Sequence, residues 1–127
     1  MSESDNVRRR AFEFRQLVAL VLTVLDVTAQ PRPESTSKKL HERLQEPRDP
    51  SDIVGVAGWL LRTYTATQRD LSGALDAAKL AADEAGIEHH ATIWKRPGRA
   101  AADAYVVLSL TEFGKLMAEL KKNSEQE

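Results

Sequence analysis

The sequence contains no cysteine, so neither a disulfide framework nor a thiolate metal site is open to it. Aromatic residues are scarce, at 6% of the chain. A dominant charge is also lacking, because 18 basic and 19 acidic residues give a net charge of −1. This balance excludes a general electrostatic attraction to nucleic acid, so any such affinity must come from a local cationic surface.

Long apolar runs are absent too. The most apolar stretch, residues 17–25, is shorter than the roughly 20 residues that a membrane-spanning helix needs. The first residues are acidic and polar, unlike a signal peptide, so we expect a cytoplasmic protein. An apolar fraction of 42% and a charged fraction of 29% over 127 residues are typical of a single globular domain.

Apolar spacing predicts the elements of the first half of the chain. A long apolar helix is expected from about residue 6 to residue 30, ended by Pro31 and Pro33. A short helix is expected over residues 35–45. Residues 52–64 then predict two short strands joined by a turn at the glycines of residues 55–58.

The second half predicts a helix, two more strands and a last helix. Asp70 or Thr67 can cap the first of these helices, and Gly86 ends it. Strands are expected over residues 90–95 and 104–110, joined by a loop with a basic tip. The last helix is expected to be capped by Thr111 and to turn four apolar side chains inward, those of Phe113, Leu116, Met117 and Leu120.

This order predicts an α/β protein with a small mixed sheet, built from two strand pairs and flanked by helices. The chain divides into an N-terminal helix with its linker at residues 1–34, an α/β unit at residues 35–122 and a polar tail at residues 123–127. Together these parts are expected to form one compact domain.

Four segments resemble the PDDEXK nuclease superfamily, in particular the Holliday-junction-resolvase-like proteins of actinobacteria and their phages. The segments are Asp-Ile-x-Gly-x-x-Gly at 52–58, Leu-Ser-Gly-Ala-Leu-Asp-Ala-Ala at 71–78, Ile-Trp-Lys-Arg-Pro-Gly at 93–98 and Tyr-Val-Val-Leu-Ser-Leu at 105–110, followed by Phe113. The resemblance covers roughly residues 36–120. It implies a restriction-endonuclease-like fold behind the long apolar N-terminal helix.

The resemblance also implies a catalytic chemistry, in which two carboxylates hold magnesium and a lysine lies near the attacking water. Asp52 stands at the position of the first acid, but Arg62 and Tyr64 occupy those of the second acid and the lysine. An arginine repels a metal ion, so the expected protein is a nuclease-like pseudoenzyme without a cofactor. Asp70 or Asp76 could still supply a migrated metal ligand, and magnesium would then be the cofactor.

A DNA-binding surface could remain after the catalytic acids are lost. The candidate residues are the cations on the former catalytic face, namely Arg62, Lys95, Arg96 and Arg99. The alternative interpretation is that these are ordinary surface cations, which the net charge of −1 favours. Trp59 and Trp94 lie within apolar strands, where core packing is expected rather than base stacking.

The adjacent pair of histidines at positions 89 and 90 opens a predicted strand. Neighbouring residues of a strand point to opposite faces, so the two imidazoles cannot readily chelate one metal ion together.

Four functions follow from the sequence, and the first is preferred. It is a non-catalytic, nuclease-like, phage-related protein that binds DNA or a DNA-processing partner. The second is a structural or assembly protein that self-associates through the helix at residues 7–27. The third is a metal-dependent DNA endonuclease with migrated ligands, and the fourth is a winged-helix DNA-binding regulator.

Overall fold

The computed structural model describes residues 3–33 and 51–125. The short helix predicted over residues 35–45 lies outside the described residues. In chain order the described elements are α1 (Glu3–Val24), β1 (Gln30–Pro31), β2 (Ile53–Val54), β3 (Trp59–Tyr64), α2 (Leu71–Ala85), β4 (His89–Trp94), a 3-10 turn (Ala101–Asp103), β5 (Tyr105–Val107) and α3 (Leu110–Glu125).

The strands form one five-stranded mixed sheet in the order β1-β2-β3-β4-β5. All neighbouring strands are antiparallel except β3 and β4, which run parallel. The predicted α/β class and flanking helices are confirmed, but the prediction of two strand pairs is wrong. The pairs merge because α2 carries the chain from the end of β3 back to the start of β4, and such a crossover is what parallel pairing requires.

The fifth strand, β1, lies where the sequence predicted the end of the first helix and the start of the proline-rich linker. That helix ends at Val24 rather than near Gln30, and Asp26 adopts a left-handed backbone conformation with a φ of 65°. The turn that follows the helix is closed by a hydrogen bond from the Val27 backbone N–H to the Leu22 carbonyl oxygen over 2.8 Å. The apolar residues of the sequence continue through this turn, which is why the predicted helix was too long. Pro31 fits β1 because an edge strand tolerates a residue without a backbone N–H.

Alternating side chains of the central strands pack against helices on both faces of the sheet. On one face, Phe14, Val18 and Ala19 of α1 belong to a buried cluster with Leu61 and Ile93. On the other face, small residues of α2 cover the sheet, and a second buried cluster there contains Leu60, Ala78 and Ala82. The burial of Trp94 and the packing of Trp59 against the α1 cluster confirm that both tryptophans serve the core.

The ends of α2 follow the predicted signals. Asp70 Oδ1 accepts a hydrogen bond from the Gly73 backbone N–H over 2.9 Å, which caps the first turn. Gly86 ends the helix with a φ of 70°, a conformation that an L residue rarely adopts.

The last helix differs from its prediction in two respects. It begins at Leu110, and Ser109 Oγ, rather than Thr111, accepts the capping hydrogen bond, from the Glu112 backbone N–H over 3.1 Å. The predicted apolar core face is wrong as well, since Phe113 is 47% and Met117 40% exposed. The buried residue of α3 is Glu112, so a polar contact orients this helix.

No helix within residues 3–33 and 51–125 is both long and apolar enough to cross a membrane.

Candidate functional site

A row of three aromatic side chains crosses the sheet where β3 and β4 end. Tyr64 is the parallel partner of Trp94, and Trp94 is the antiparallel partner of Tyr105. Residues paired in this way point to the same face of a sheet. The rings of Tyr64 and Trp94 are stacked, with centroids 4.3 Å apart and planes 15° apart. Trp94 is buried while Tyr105 is 44% exposed, so the row runs from the core to the surface.

Two arginines meet at the exposed end of this row. The Arg69 guanidinium carbon lies 5.0 Å from the centroid of the Tyr105 ring, and the Arg96 guanidinium carbon lies 4.9 Å from it. Both distances are within the range of a cation–π contact. A stacked guanidinium uses its flat surface for the ring, and its N–H donors lie in the plane, where they match the oxygens of a phosphate.

The turn after β4 adds two further cations. Pro97 and Gly98 occupy its central positions, Gly98 has a φ of 69°, and Arg99 donates its backbone N–H to Arg96 over 3.2 Å. Proline followed by a glycine with positive φ is typical of a type II turn. The turn therefore carries Arg96 and Arg99 close together, next to Lys95, and both Lys95 and Arg99 are exposed.

Among the described residues, these cations have no carboxylate partner, unlike the two arginines that contact Asp52. Within residues 3–33 and 51–125, no salt bridge involves Arg69, Lys95, Arg96 or Arg99. We call these four residues with Tyr105 the cationic edge. Arg62 is half-buried on β3 and belongs to the same face, since it alternates with Leu61 and lies two residues before Tyr64.

Asp52, the candidate catalytic acid, lies in a different environment. Its Oδ1 is 3.4 Å from Nη2 of Arg15 and 3.0 Å from Nη2 of Arg32, and its Oδ2 accepts a hydrogen bond from the Thr63 backbone N–H over 2.8 Å. The side chain is only 14% exposed. This carboxylate links α1, the residue after β1 and β3, so its role in this structure is to hold these elements together.

The three candidate metal ligands are not brought together. Asp52 contacts Arg15 of α1, on one face of the sheet, whereas Asp70 and Asp76 belong to α2 on the other face. Asp70 caps α2, and Asp76 is exposed beside a cavity of about 300 Å³. The migrated magnesium site stays a prediction from sequence, with no convergence of these carboxylates to support it.

We expect Asp52→Ala to lower the free energy of unfolding by about 3 kcal/mol, because it leaves two guanidiniums and one backbone N–H without their shared acceptor. Urea denaturation measures this change. Asp76→Ala is the control and should change the free energy by less than about 0.5 kcal/mol. Equal effects of the two substitutions would contradict the structural role of Asp52.

A second polar cluster lies at the start of β4, around the buried side chain of His89. His89 Nδ1 is 2.9 Å from Oε2 of Glu112, and His89 Nε2 is 3.0 Å from Oε1 of Glu119. The imidazole also stacks on Trp59, with centroids 4.7 Å apart. Burial by itself disfavours the charged imidazole, but the hydrogen bonds to Glu112 and Glu119 outweigh it and raise the pKa of His89.

Glu112 is the centre of this cluster, with a side chain only 4% exposed. Burial tends to raise the pKa of Glu112, but the hydrogen bond with His89 and the charge of Lys115 outweigh it and lower that pKa. His90 Nδ1 approaches Glu112 Oε1 at 3.5 Å. One carboxylate of α3 therefore contacts both histidines, although neighbouring residues of a strand point to opposite faces.

Sequence analysis missed Arg69, Tyr105 and the two glutamates of α3. An antiparallel pairing of the two last strands would have placed Tyr105 opposite Trp94, because a short connection joins the end of one to the start of the other. Glu112 and Glu119 are seven residues apart, a spacing that puts them on one side of a helix. No local pattern indicates that this side would face a histidine.

No protein-family model matches the sequence, and the searches of curated proteins and of solved structures likewise give no match.

Proposed function

We propose that this protein binds the phosphate backbone of DNA at the cationic edge. The observation that supports this most strongly is the pairing of Arg69 and Arg96 on the ring of Tyr105. Cations without carboxylate partners lose little when a phosphate approaches, and each contact releases counterions from the nucleic acid. Lys95, Arg96 and Arg99 are three of the four residues that the sequence nominated for this role.

The aromatic component favours a nucleic acid over a simple anion. Tyr105 is exposed and contacts two guanidiniums, and aromatic rings and arginine planes are surfaces on which bases stack. A single exposed ring does not read sequence, so we infer backbone-directed binding with little base preference. A descent from PDDEXK nucleases without their catalytic acids is compatible with this function and stays part of the proposal.

The position of the edge also supports binding. Ligands of open α/β sheets bind beyond the carboxyl ends of parallel strands, and β3 and β4 are the parallel pair of this sheet. Arg69 follows β3, and Lys95 and Arg96 follow β4, so all three extend from that end.

We expect Arg96→Ala with Arg99→Ala to weaken retention of duplex DNA and to reduce the salt dependence of binding. Each lost phosphate contact lowers the slope of log affinity against log salt by about 0.9, so the pair lowers it by roughly 2. Fluorescence anisotropy over a series of salt concentrations measures both quantities.

Lys121→Ala with Lys122→Ala is the matched control, since it removes the same charge from the exposed end of α3. The control should leave the slope unchanged. Equal losses in the two double variants, or no retention of DNA by the wild-type protein at low salt, would overturn the proposal.

The second candidate function is self-association through α1, as the sequence also indicated. Part of this helix packs on the sheet, but Leu17, Leu20 and Val24 are 50%, 58% and 72% exposed. Their spacing of three and four residues places them on one side of the helix, where they form an apolar stripe. A second copy of α1 is the partner that this stripe matches.

Self-association predicts that Leu20→Glu shifts a dimer towards monomer, because the new charge would be buried in the interface. Light scattering of the two proteins at equal concentrations measures the shift. Ala77→Glu is the control, since it adds the same charge to the exposed side of α2. A monomeric wild-type protein would exclude this second function.

A further inference from the structure

The cluster at the start of β4 has a feature that a neutral histidine cannot satisfy. Both ring nitrogens of His89 face carboxylates, Glu112 on one side and Glu119 on the other. A neutral imidazole has one N–H, and carboxylates only accept hydrogen bonds. A cation is therefore needed at Nε2, either a second proton or a metal ion.

Three ligand atoms converge on this nitrogen. Nε2 of His89 lies 3.0 Å from Oε1 of Glu119 and 3.7 Å from Oε1 of Glu88. One ligand atom from each of these three residues lies within 4.8 Å of the other two. Ligands bound about 2.1 Å from a tetrahedral zinc ion are about 3.4 Å apart. The two distances from Nε2 bracket this value, so small rotations of the glutamates are enough to surround an ion.

Glu112 is the carboxylate partner that metal-binding histidines usually have on the ring nitrogen that does not bind the metal. It accepts a hydrogen bond from Nδ1 of His89 over 2.9 Å and is itself buried. A carboxylate on one ring nitrogen fixes the tautomer and directs the lone pair of the other nitrogen to the metal. Stacking of the ring on Trp59 restrains its orientation further.

The histidine ligand is buried and the two glutamate ligands are exposed, which suits a metal site that is accessible from solvent. The imidazole is 3% exposed, whereas the side chains of Glu88 and Glu119 are 70% and 49% exposed. The nitrogen ligand is therefore preorganised, and an ion can enter from solvent between the two glutamates. His90 Nδ1 instead approaches Glu112 Oε1 at 3.5 Å, and His90 is not among the residues that converge on Nε2.

We propose that Glu88, His89 and Glu119 bind one divalent transition-metal ion of the zinc class, with Glu112 as a positioning residue. One histidine and two carboxylates form a ligand set that zinc accepts, and a three-ligand site leaves a fourth position for water. The ion joins the start of β4 to α3. This site is separate from the cationic edge, because it lies at the opposite end of β4.

Isothermal titration calorimetry of the full chain with zinc chloride, after treatment with a chelator and its removal, tests the proposal. We expect one equivalent of zinc to bind. Glu119→Gln should weaken binding by more than about 100-fold, since losing a ligand costs more than the 10–100-fold typical of an outer-shell change. Glu119 is half-exposed, so this variant keeps the folded core.

Glu125→Gln is the matched control, because it neutralises an exposed glutamate on the same helix. It should bind zinc as the wild-type protein does. Glu112→Gln should weaken zinc binding by about 10–100-fold, as expected for a residue that orients a ligand. Zinc should also raise the melting temperature of the wild-type protein and not that of Glu119→Gln.

Two results would overturn the proposal. Absence of stoichiometric zinc binding would show that the cation at Nε2 is a proton and that His89 forms a charged bridge between two glutamates. Equal affinities of Glu119→Gln and Glu125→Gln would place any bound zinc elsewhere. Glu119→Gln should still retain DNA in either case. The proposal of a metal site and the proposal of DNA binding at the cationic edge are therefore tested independently.

Discussion

The parallel pairing of β3 with β4 is the constraint on which the rest of this structure depends. Six residue pairs join the two strands, and α2 must cross one face of the sheet to connect them. The pairing aligns like ends of the two strands. At the carboxyl end it places Tyr64 beside Trp94, and at the amino end it places Trp59 beside His89. The cationic edge lies next to the Tyr64–Trp94 pair, and the cluster around His89 includes the Trp59–His89 pair.

The two ends serve different chemistry because different elements approach them. At the carboxyl end, the residue before the cap of α2 and the turn after β4 both contribute arginines, and the start of β5 contributes the ring that holds them. At the amino end, β5 pairs only with the last three residues of β4. Two glutamates of α3 instead contact the ring of His89 there. One strand thus carries a cationic surface at one end and a carboxylate-rich cluster at the other.

Asp52 shows how tertiary structure changes the meaning of a residue. In sequence it heads a hairpin, and its position resembles that of a catalytic acid. In the structure its carboxylate is shared by Arg15, Arg32 and the Thr63 backbone N–H. The carboxylate oxygens that a metal ion would need already contact two positive charges and a backbone N–H. The hairpin is therefore stabilised by the acid that had suggested catalysis.

The sequence by itself determined the elements whose signals are local. It predicted the glycine turn of the hairpin, the Asp70 cap and Gly86 end of α2, the packing of both tryptophans against the core, and the cations of the turn after β4. Only the tertiary structure decided how distant segments meet. It added β1 to the sheet, exposed the apolar side of α3 and brought Glu112 and Glu119 to His89. The physical reason is that caps and turns depend on a few neighbouring residues, whereas burial of a charged group depends on a partner many residues away.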